Sequence, residues 1–416
     1  MEYLHVESAP VAKSELTIFS VPTTQVAIDS TYEVAYRPSA SLESSQVYEI
    51  HVPPSEDLTD LSSTMLHLKV KIIDSTGEAT KQVVKAKMAK NFANALFEQV
   101  DLFLNGVNLS QANNMYHYQA YLEELLYRFP SEIDVGNASR REAQFVTPDR
   151  QYDFYFKLHL PICQQDRLMI NAIPMVFKFT RSLSTFPVWA AAASDTETYK
   201  TKIDSIALHV RRVKLFPDAM TSLLTTLQKV SAKYFIIRNE IKNFTITKGV
   251  NMISIENIFN GILPRRIIVG FVDEASFSGD RQANPFEFKN YSINYLALNV
   301  DGNSIPSIAY QPDFVKDLYM REFINLYRYT GQDDGIPQLN VDYDKYKHLY
   351  CLFAFELGGD GTLGGETGTL NLLKRGTIRL EIRFSETLTS QVKLVALGQF
   401  DNIITVDKER NVQLDY

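Results

Sequence analysis

The residues best suited to chemistry are a glycine-rich run and a few short acidic groups. The segment Gly359-Asp-Gly361-Thr-Leu-Gly364 fits the G-x-G-x-x-G pattern of dinucleotide-binding turns, and it follows the apolar stretch 348–357. Such a turn must lead into a helix whose first amides face the pyrophosphate. Here Gly365 and Gly368 extend the glycine run, and an alternating segment follows. The pattern therefore favours a loop between strands, with nucleotide binding as the alternative.

Three acidic groups are the remaining candidates for metal binding or acid–base chemistry. Asp342-Tyr-Asp344 resembles the acid-x-acid motif that holds a metal ion on a sugar nucleotide, but the acidic, tyrosine-rich stretch 340–347 is more typical of a solvated turn. Glu123-Glu124 and Asp333-Asp334 are sequence neighbours, and the sequence gives no indication that either pair is buried or has a shifted pKa. We therefore predict no catalytic carboxylate.

Other common catalytic signatures do not occur in the sequence. It contains no G-x-x-x-x-G-K-[ST] phosphate loop, no H-E-x-x-H, no cysteine pair at zinc spacing and no G-x-S-x-G. The seven histidines are scattered, and we interpret His117 and His159 as ordinary helix-face or strand residues. A site assembled from distant residues stays open. The sequence nevertheless predicts that the protein is not an enzyme, with no catalytic, cofactor-binding or metal-binding residues and no cofactor.

Size and charge restrict the class of protein further. The chain has 416 residues and a net charge of −7, and this length suits two domains of roughly 200 residues each. Its densest basic stretch is short and consists of Lys81, Lys85, Lys87 and Lys90. Proteins that neutralise many phosphates need larger clusters of Lys and Arg, so we expect no sequence-specific nucleic-acid binding. We interpret the stretch as a solvated loop or strand face, with a contact to nucleic acid as the alternative.

The cysteines and apolar segments indicate a protein of a reducing compartment. Cys163 and Cys351 are far apart, and we expect free thiols rather than a disulfide. The N-terminal residues do not have the pattern of a secretory signal. The uncharged stretch 186–194 is far shorter than the ~20 apolar residues that span a bilayer, so we expect no membrane insertion.

Strict alternation of apolar and polar residues predicts an all-β protein. In segment 152–160 every second residue is apolar, and segments 66–72 and 377–384 repeat the pattern. A period of two is typical of a strand with one buried face. The 25 Phe and 22 Tyr residues, against one Trp, also favour pleated and half-buried surfaces. Many such strands separated by turns indicate antiparallel sandwiches rather than a parallel α/β sheet.

A hairpin followed by a helix is predicted twice. Asn105-Gly106 and Asp301-Gly302 favour two-residue hairpin turns. The amphipathic segments 115–129 and 313–329 follow them and predict helices. Because Gly106 and Gly302 are 196 residues apart, we predict two tandem copies of one domain design.

The boundary between the two copies is predicted near residue 225. Pro217 and Asp218 are typical of a helix start, and segment 218–230 has one apolar stripe. A new set of strands is predicted to begin at Lys233. The predicted domains are therefore 1–225, which includes an N-terminal arm, and 226–416.

Two blocks of the sequence resemble the major capsid proteins of Polinton/Maverick elements and adintoviruses, in the adenovirus hexon-like lineage. Block 91–129 carries F-x-Q-V-D, L-N-G and Y-x-Y-x-A-Y-L-E-x-L-L, and block 263–314 carries L-P-R-R-I, G-F-V, N-P-F-x-F, V-D-G and P-D-F. The matching residues are Phe97, Gln99, Val100, Asp101, Leu104, Asn105, Gly106, Tyr116, Tyr118, Ala120, Tyr121, Glu123, Leu125, Leu126, Leu263, Pro264, Arg265, Arg266, Gly270, Phe271, Val272, Phe277, Gly279, Asn284, Pro285, Phe286, Phe288, Val300, Asp301, Gly302, Pro306, Pro312, Asp313 and Phe314. The first 60 residues and the final tail carry no match, and the loop 358–368 is richer in glycine than the family pattern.

This resemblance implies two eight-stranded antiparallel jelly rolls side by side in one chain, with short helices in the loops. It also implies a homotrimer with a pseudo-sixfold outline, a capsomer that tiles the icosahedral shell of a DNA virus or virus-like mobile element. The implied partners are neighbouring capsomers and penton and minor or cement capsid proteins. The implied location is the virion capsid, assembled inside the host cell. The alternative is a tandem jelly-roll carbohydrate-active enzyme or glycan-binding protein, which would need an open acidic or aromatic cleft.

Overall fold

The computed structural model describes residues 18–19, 21–42, 45–74, 86–110, 112–127, 144–147, 149–190, 198–330, 341–358 and 370–415. In the first half of the chain these residues form β1 (Ile28–Tyr36), β2 (Val47–Val52), β3 (Leu58–Ile73), β4 (Ala86–Met88), α1 (Phe92–Ala95), β5 (Phe97–Leu104), β6 (Val107–Asn108), α2 (Tyr116–Tyr127), β7 (Gln144–Phe145), β8 (Gln151–Lys157), a 3₁₀ turn (Pro161–Gln164), β9 (Met175–Arg181), β10 (Val188–Ala190) and β11 (Lys200–Leu215). Helix α3 (Pro217–Leu227) then leads into the second half.

The second half repeats the succession of strands. It contains β12 (Ala232–Ile246), β13 (Met252–Glu256), β14 (Arg266–Asp273), α4 (Glu274–Phe277), β15 (Ile293–Val300), β16 (Asn303–Tyr310), α5 (Met320–Tyr329), α6 (Tyr343–His348), β17 (Leu352–Glu356), β18 (Ile378–Phe384), β19 (Val392–Val406) and β20 (Val412–Asp415).

The two halves have the same strand order. In the first, β1-β11-β3-β8 form one sheet and β2-β9-β5-β6 the other; in the second, β12-β19-β14-β17 and β13-β18-β15-β16 do so. When the eight strands of the two sheets in each half are renumbered 1 to 8 in chain order, one sheet has the order 1-8-3-6 and the other has the order 2-7-4-5. This is the jelly-roll arrangement, and the prediction of two tandem antiparallel jelly rolls is confirmed. A small sheet β10-β4-β7 and the strand β20, paired with β19, are additions.

The strands form where the apolar alternation predicts them. Buried and exposed residues alternate along β8 and β18, since alternate side chains point into the sandwich. Strand β8 ends at Lys157, so the predicted strand 152–160 is three residues too long, although Leu158 and Leu160 are buried. Pro161 then begins the 3₁₀ turn, and proline has no amide hydrogen to continue a ladder.

Both predicted hairpin turns are confirmed. Asn105 and Gly106 have φ angles of 46° and 82°, and Asp301 and Gly302 have φ angles of 49° and 85°. The strands on either side pair directly across each turn. Two consecutive left-handed residues match the right-handed twist of the strands, and glycine adopts the second position without strain.

The predicted helices are present, but one begins later than expected. Helix α2 covers Tyr116–Tyr127 of the predicted 115–129, and residues 128 and 129 lie outside the described residues. Helix α5 begins at Met320 and not at residue 313. The Asp313 carboxylate accepts hydrogen bonds from the amides of Val315 (3.1 Å) and Lys316 (3.0 Å). This local turn competes with helix formation over residues 313–319.

The stretch 340–347 was predicted to be a solvated turn; among its described residues, 341–347, Asp342 and Asp344 are exposed as expected, but a helix forms instead of a turn. Helix α6 begins after Asp342, whose carboxylate caps it by accepting a hydrogen bond from the Lys345 amide (2.6 Å). Tyr346 on this helix is fully buried, and its hydroxyl donates a hydrogen bond to the Leu352 carbonyl (2.9 Å). The Asp342 cap and the buried Tyr346 side chain stabilise this short helix. The acidic composition of the stretch does not predict it.

Each sandwich surrounds its own apolar core. Leu68, Phe154 and Phe177 lie in the first core, and Phe271 and Phe353 lie in the second. The two cysteines follow the same division, because Cys163 lies in the first core and Cys351 in the second. Both side chains are buried and neither forms a disulfide, as predicted.

Candidate interaction surfaces

Helix α2 lies between the two sandwiches. It belongs to the connection between β6 and β8 of the first sandwich, and its Tyr116 and Ala120 side chains pack in the first core. On its other side, the Tyr118 hydroxyl donates a hydrogen bond to the Pro285 carbonyl (2.7 Å). The Tyr121 ring stacks on Phe286, with centroids 4.6 Å apart. The helix therefore joins the two halves of the chain.

A buried charged cluster lies on the same helix. The His159 imidazole places Nδ1 2.8 Å from Glu123 Oε2 and Nε2 3.4 Å from Glu124 Oε2. Glu123 also accepts hydrogen bonds from Gln119 (2.9 Å), Gln164 (2.6 Å) and Asn239 (2.5 Å). Burial acts to raise the pKa of Glu123, but the hydrogen bonds and the charge of His159 outweigh it and lower that pKa.

This cluster corrects two sequence interpretations. Nothing in the sequence indicated that Glu123-Glu124 is buried, yet both side chains are almost completely inaccessible. His159 is not an ordinary strand residue either, since it bridges the two carboxylates. The available signal was the pair of acidic residues inside the otherwise apolar helical run of α2, because buried carboxylates require partners.

A second buried polar group joins α2 to the second sandwich. The Arg266 guanidinium donates to the Tyr127 hydroxyl (3.2 Å) and to Gln399 Oε1 (3.1 Å), and it pairs with Glu356 (3.3 Å). Gln399 in turn donates to Asn239 Oδ1 (3.1 Å), which links this group to the His159 cluster. Burial acts to lower the pKa of Arg266, but Tyr127 and Glu356 outweigh it and raise that pKa. The contact between the sandwiches is thus polar as well as aromatic.

The basic stretch is divided by the structure. Lys81 and Lys85 lie outside the described residues, and Lys87 is half-buried in β4. Lys90 is buried, with Nζ 3.1 Å from the Tyr350 hydroxyl and 4.3 Å from the centre of that ring. For Lys90, both a solvated position and a contact to nucleic acid were wrong, because it too joins the first half of the chain to the second.

The remaining chemical candidates do not form a reactive site in the described ranges. Asp342 is the α6 cap, and the hydrogen bond from the Lys345 amide lowers its pKa. His117 is fully buried against Phe186, with ring centroids 4.5 Å apart, and burial lowers its pKa to about 3. Gly359–Gly364 and Asp333-Asp334 lie outside the described residues.

The described residues contain neither a metal-binding cluster nor a membrane-spanning helix. No group of three or more His, Cys, Asp or Glu side chains within them could hold a metal ion. In the parts of the chain that the structure describes, no helix is both long and apolar enough to cross a membrane.

Two open surfaces contrast with this closed interior. The first, the outer face of the first sandwich, consists of the side chains of β1, β11, β3 and β8 that point away from the core. At its centre, Tyr155 lies beside His67 and His209, with ring centroids 5.9 and 5.4 Å away. His67 Nε2 lies 2.6 Å from Asp153 Oδ1, and His209 Nδ1 lies 2.6 Å from Glu33 Oε1.

The second open surface is the α5 patch, an apolar group on and before helix α5. It consists of Ile308, Val315, Leu318, Met320 and Ile324, all of which are exposed. Arg321 donates hydrogen bonds to the carbonyls of Ile308 (2.7 Å) and Ala309 (3.0 Å), which fixes β16 beside the helix. Several exposed apolar side chains in one part of the fold are typical of an interaction site on a soluble protein.

A groove at the edge of the second sandwich is a third feature. It has a volume of about 350 Å³ and is lined by Leu263, Pro264, Leu370 and Leu372, among others. The buried Arg265–Asp401 ion pair (2.9 Å) lies on its wall.

Comparison with known proteins establishes the fold. No family model matches the sequence. An uncharacterized protein of Caenorhabditis elegans is 20% identical over 363 residues, which cover 83% of this chain and 85% of that protein. PBCV-1 VP54, in a crystal structure fitted into a cryo-EM reconstruction of the virophage Sputnik, is similar with a TM-score of 0.62 at 10% identity over 96% of this chain and 100% of that one. This chain is a double jelly roll.

The other similar structures extend the comparison. The mavirus major capsid protein has a TM-score of 0.57 at 11% identity, over 100% of this chain and 96% of that one. The likeness covers nearly all of the double jelly roll and is not limited to one sandwich. At these identities it is a likeness of fold.

Proposed function

We propose that this double jelly roll is a major capsid protein, whose trimers form the capsomers of an icosahedral shell. The observation that carries the proposal is the doubled strand order 1-8-3-6 and 2-7-4-5, in a fold that matches mavirus and Faustovirus major capsid proteins over 94% or more of this chain. The protein acts by assembling and not by catalysis.

The distribution of polar and apolar groups supports assembly. Charged groups that could do chemistry, such as Glu123, His159 and Arg266, are buried in the contact between the sandwiches, where they fix the two halves together. Apolar side chains such as Val315 and Leu318 are instead left exposed. Burying such side chains between copies is favourable, and closed symmetry repeats the gain in every copy.

The finer parts of the proposal rest on the sequence resemblance. They are the Polinton or adintovirus lineage, contacts with penton and minor or cement capsid proteins, and assembly inside the host cell. The division into domains 1–225 and 226–416 is proposed as well, with helix α3 as the connection. Residues 18–19 and 21–27 before β1 would form the end of an N-terminal arm, and Phe19 and Val21 among them are exposed.

The mass of the purified chain in solution tests this proposal. We expect size-exclusion chromatography with light scattering to give three times the 47.4 kDa mass of one chain. Negative-stain microscopy should then show trimeric capsomers or closed shells. A strict monomer at micromolar concentration would count decisively against a capsid function.

The carbohydrate-binding alternative is not supported by these similarities. The solved structures that share the fold include viral capsid proteins, and among the described residues the paired carboxylates Glu123-Glu124 are closed to solvent. A glycan array with no signal above background would dismiss it.

A further inference from the structure

We propose that the α5 patch of one copy packs on the outer face of the first sandwich of a second copy. This inference rests on the proposed capsid function and identifies the two surfaces through which the copies join. The occupant of each surface is therefore this same chain, in a head-to-tail contact.

The first reason is a difference in burial between two equivalent sheets. Strand β14, third in the second sandwich, is buried on both faces from Arg266 to Val272. Strand β3, third in the first sandwich, has only every second residue fully buried over most of its length. The sixth strands differ in the same way, since β17 is buried on both faces and β8 on one. The second sandwich therefore has a covered outer face, and the first has an open one.

The second reason is the helix that covers the outer face of the second sandwich. Helix α2 of the first sandwich covers the second through Tyr127, which contacts Arg266 and Gln399. Helix α5 occupies the same connection in the second sandwich, between the fifth and sixth strands. Tyr118 and Tyr121 of α2 are buried. The exposed fractions of Met320 and Ile324 of α5 are instead 54% and 48%.

The strand registers show where the equivalent contact would form. In the second sandwich, Gln399 lies seven residues beyond Val392, where the ladder with β14 begins, and it pairs with Arg266. In the first sandwich, Ala207 lies seven residues beyond Lys200, where the ladder with β3 begins, and a β-bulge between Ile203 and Ser205 shifts this ladder by one residue. Its partner there is His67.

Each of these pairs continues onto the next strand of its sheet, which gives a row of paired residues across three strands. Arg266 pairs with Glu356 on β17, and His67 pairs with Tyr155 on β8. The row of Arg266 is covered by α2, whereas 48% of Tyr155 is exposed. The row of His67 and Tyr155 is therefore the place where α5 of a second copy would lie.

The chemistry of the two surfaces is compatible. The rings of Tyr155, His67 and His209 form an aromatic platform, and one polar atom of each ring is engaged by Glu33 or Asp153. Aliphatic side chains such as Ile324 and Met320 pack favourably on aromatic rings. Because the two surfaces differ, the contact is heterologous and generates a ring if the rotation closes. The contact inside the chain would then be repeated between chains.

Charge insertion tests the interface from both sides. Leu318→Glu combined with Ile324→Glu alters the α5 patch, and Tyr155→Glu alters the outer face. The control is Met252→Glu, which places one such charge at an exposed apolar residue of β13 and matches Tyr155→Glu in added charge. We expect light scattering to give the mass of one chain for the α5-patch variant and for Tyr155→Glu, which is one third of the trimer mass. The control should keep the mass of the natural protein. Circular dichroism and thermal unfolding of each protein verify that it is folded.

Disulfide trapping gives a second readout that does not depend on loss of assembly. Ile324→Cys with Tyr155→Cys in one chain should produce covalent dimers and trimers on oxidation, visible in non-reducing gels. The native Cys163 and Cys351 are buried and remain unreactive. Ile324→Cys with Met252→Cys is the control and should stay at the mass of one chain.

The outcomes separate this inference from the capsid proposal. If the natural chain is trimeric but the charge variants stay trimeric and no covalent species forms, the inferred interface is wrong and the capsid proposal stands. If the natural chain is monomeric, both are wrong. A monomeric set of charge variants together with trapped trimers supports both.

Discussion

The imidazole of His159 lies between two carboxylates in the protein interior, a position where an isolated charge would be very costly. The arrangement is tolerable because Glu123 also accepts hydrogen bonds from three side-chain amides, one of them from Asn239 of the second sandwich. His159 is 36 residues from Glu123, and Asn239 is 116 residues away. No pattern of local spacing brings these residues together, so the sequence did not predict the cluster.

Replacing His159 tests the importance of this cluster for stability. In His159→Ala, Glu123 and Glu124 lose the imidazole between them, and removing one partner of a buried pair in this way costs about 3–5 kcal/mol. We expect that decrease in the free energy of unfolding, measured by guanidinium titration at pH 7. His51→Ala, at an exposed histidine, is the control and should change it by less than about 0.5 kcal/mol. Equal effects of the two substitutions would contradict the role of His159.

His117 should make the protein sensitive to mild acid. Burial lowers its pKa to about 3 from 6.5, so below pH 6.5 the unfolded chain binds a proton that the folded chain does not. The contribution of neutral His117 to stability is therefore complete above pH 6.5 and is lost as the pH falls toward 3, by at most about 1.4 kcal/mol per pH unit.

The variant His117→Gln isolates this contribution. Unfolding free energies at pH 7, 5.5 and 4.5 should fall less steeply in the variant than in the natural chain, by the slope of one proton. A slope that is the same in His117→Gln and in the natural chain would show that another group is responsible.

At the scale of elements, what was predictable depends on how local the cause is. The strands β8 and β18 and the turns Asn105-Gly106 and Asp301-Gly302 follow from alternation and from φ preferences, which are properties of a few neighbouring residues. The start of α5 depends on side-chain hydrogen bonds from Asp313. The spacing of apolar residues does not show that these side-chain hydrogen bonds compete with helix formation.

Gly270 shows how one residue sets the distance between elements. It lies in β14, and a Cβ atom there would clash with the Phe288 ring and lie 2.6 Å from Leu352 Cδ2. We expect Gly270→Ala to lower the free energy of unfolding by about 1–3 kcal/mol, as overpacking does. Adding Phe288→Leu should recover part of the loss, because the smaller side chain gives way. If the double variant shows simple addition of two losses, the steric account is wrong.

At the scale of the whole molecule, each half of the chain supplies side chains to the core of the other. Tyr234 and Ile236 of β12, Ile404 and Val406 of β19 and Val412 of β20 all lie in the first core. Helix α2 contributes in the opposite direction, with Tyr118, Tyr121 and Leu125 in the second core. The tandem repeat was predictable from hairpins and helices, but this exchange of side chains was not, because it depends on how the sandwiches pack.

The exchange predicts that the first half of the chain does not fold alone. A fragment 1–225 lacks all five of the side chains that β12, β19 and β20 supply to its core, and each buried apolar side chain of that size contributes about 1.5–3 kcal/mol. Their sum is comparable to the whole stability of about 5–15 kcal/mol of a typical domain. We expect the fragment to show no cooperative thermal transition, and co-expressed fragments 1–225 and 226–416 to copurify as a folded complex. A sharp transition in the isolated fragment would instead mean that the first sandwich is stable without these contacts, and that α2 and the buried His159 cluster merely join two independent units.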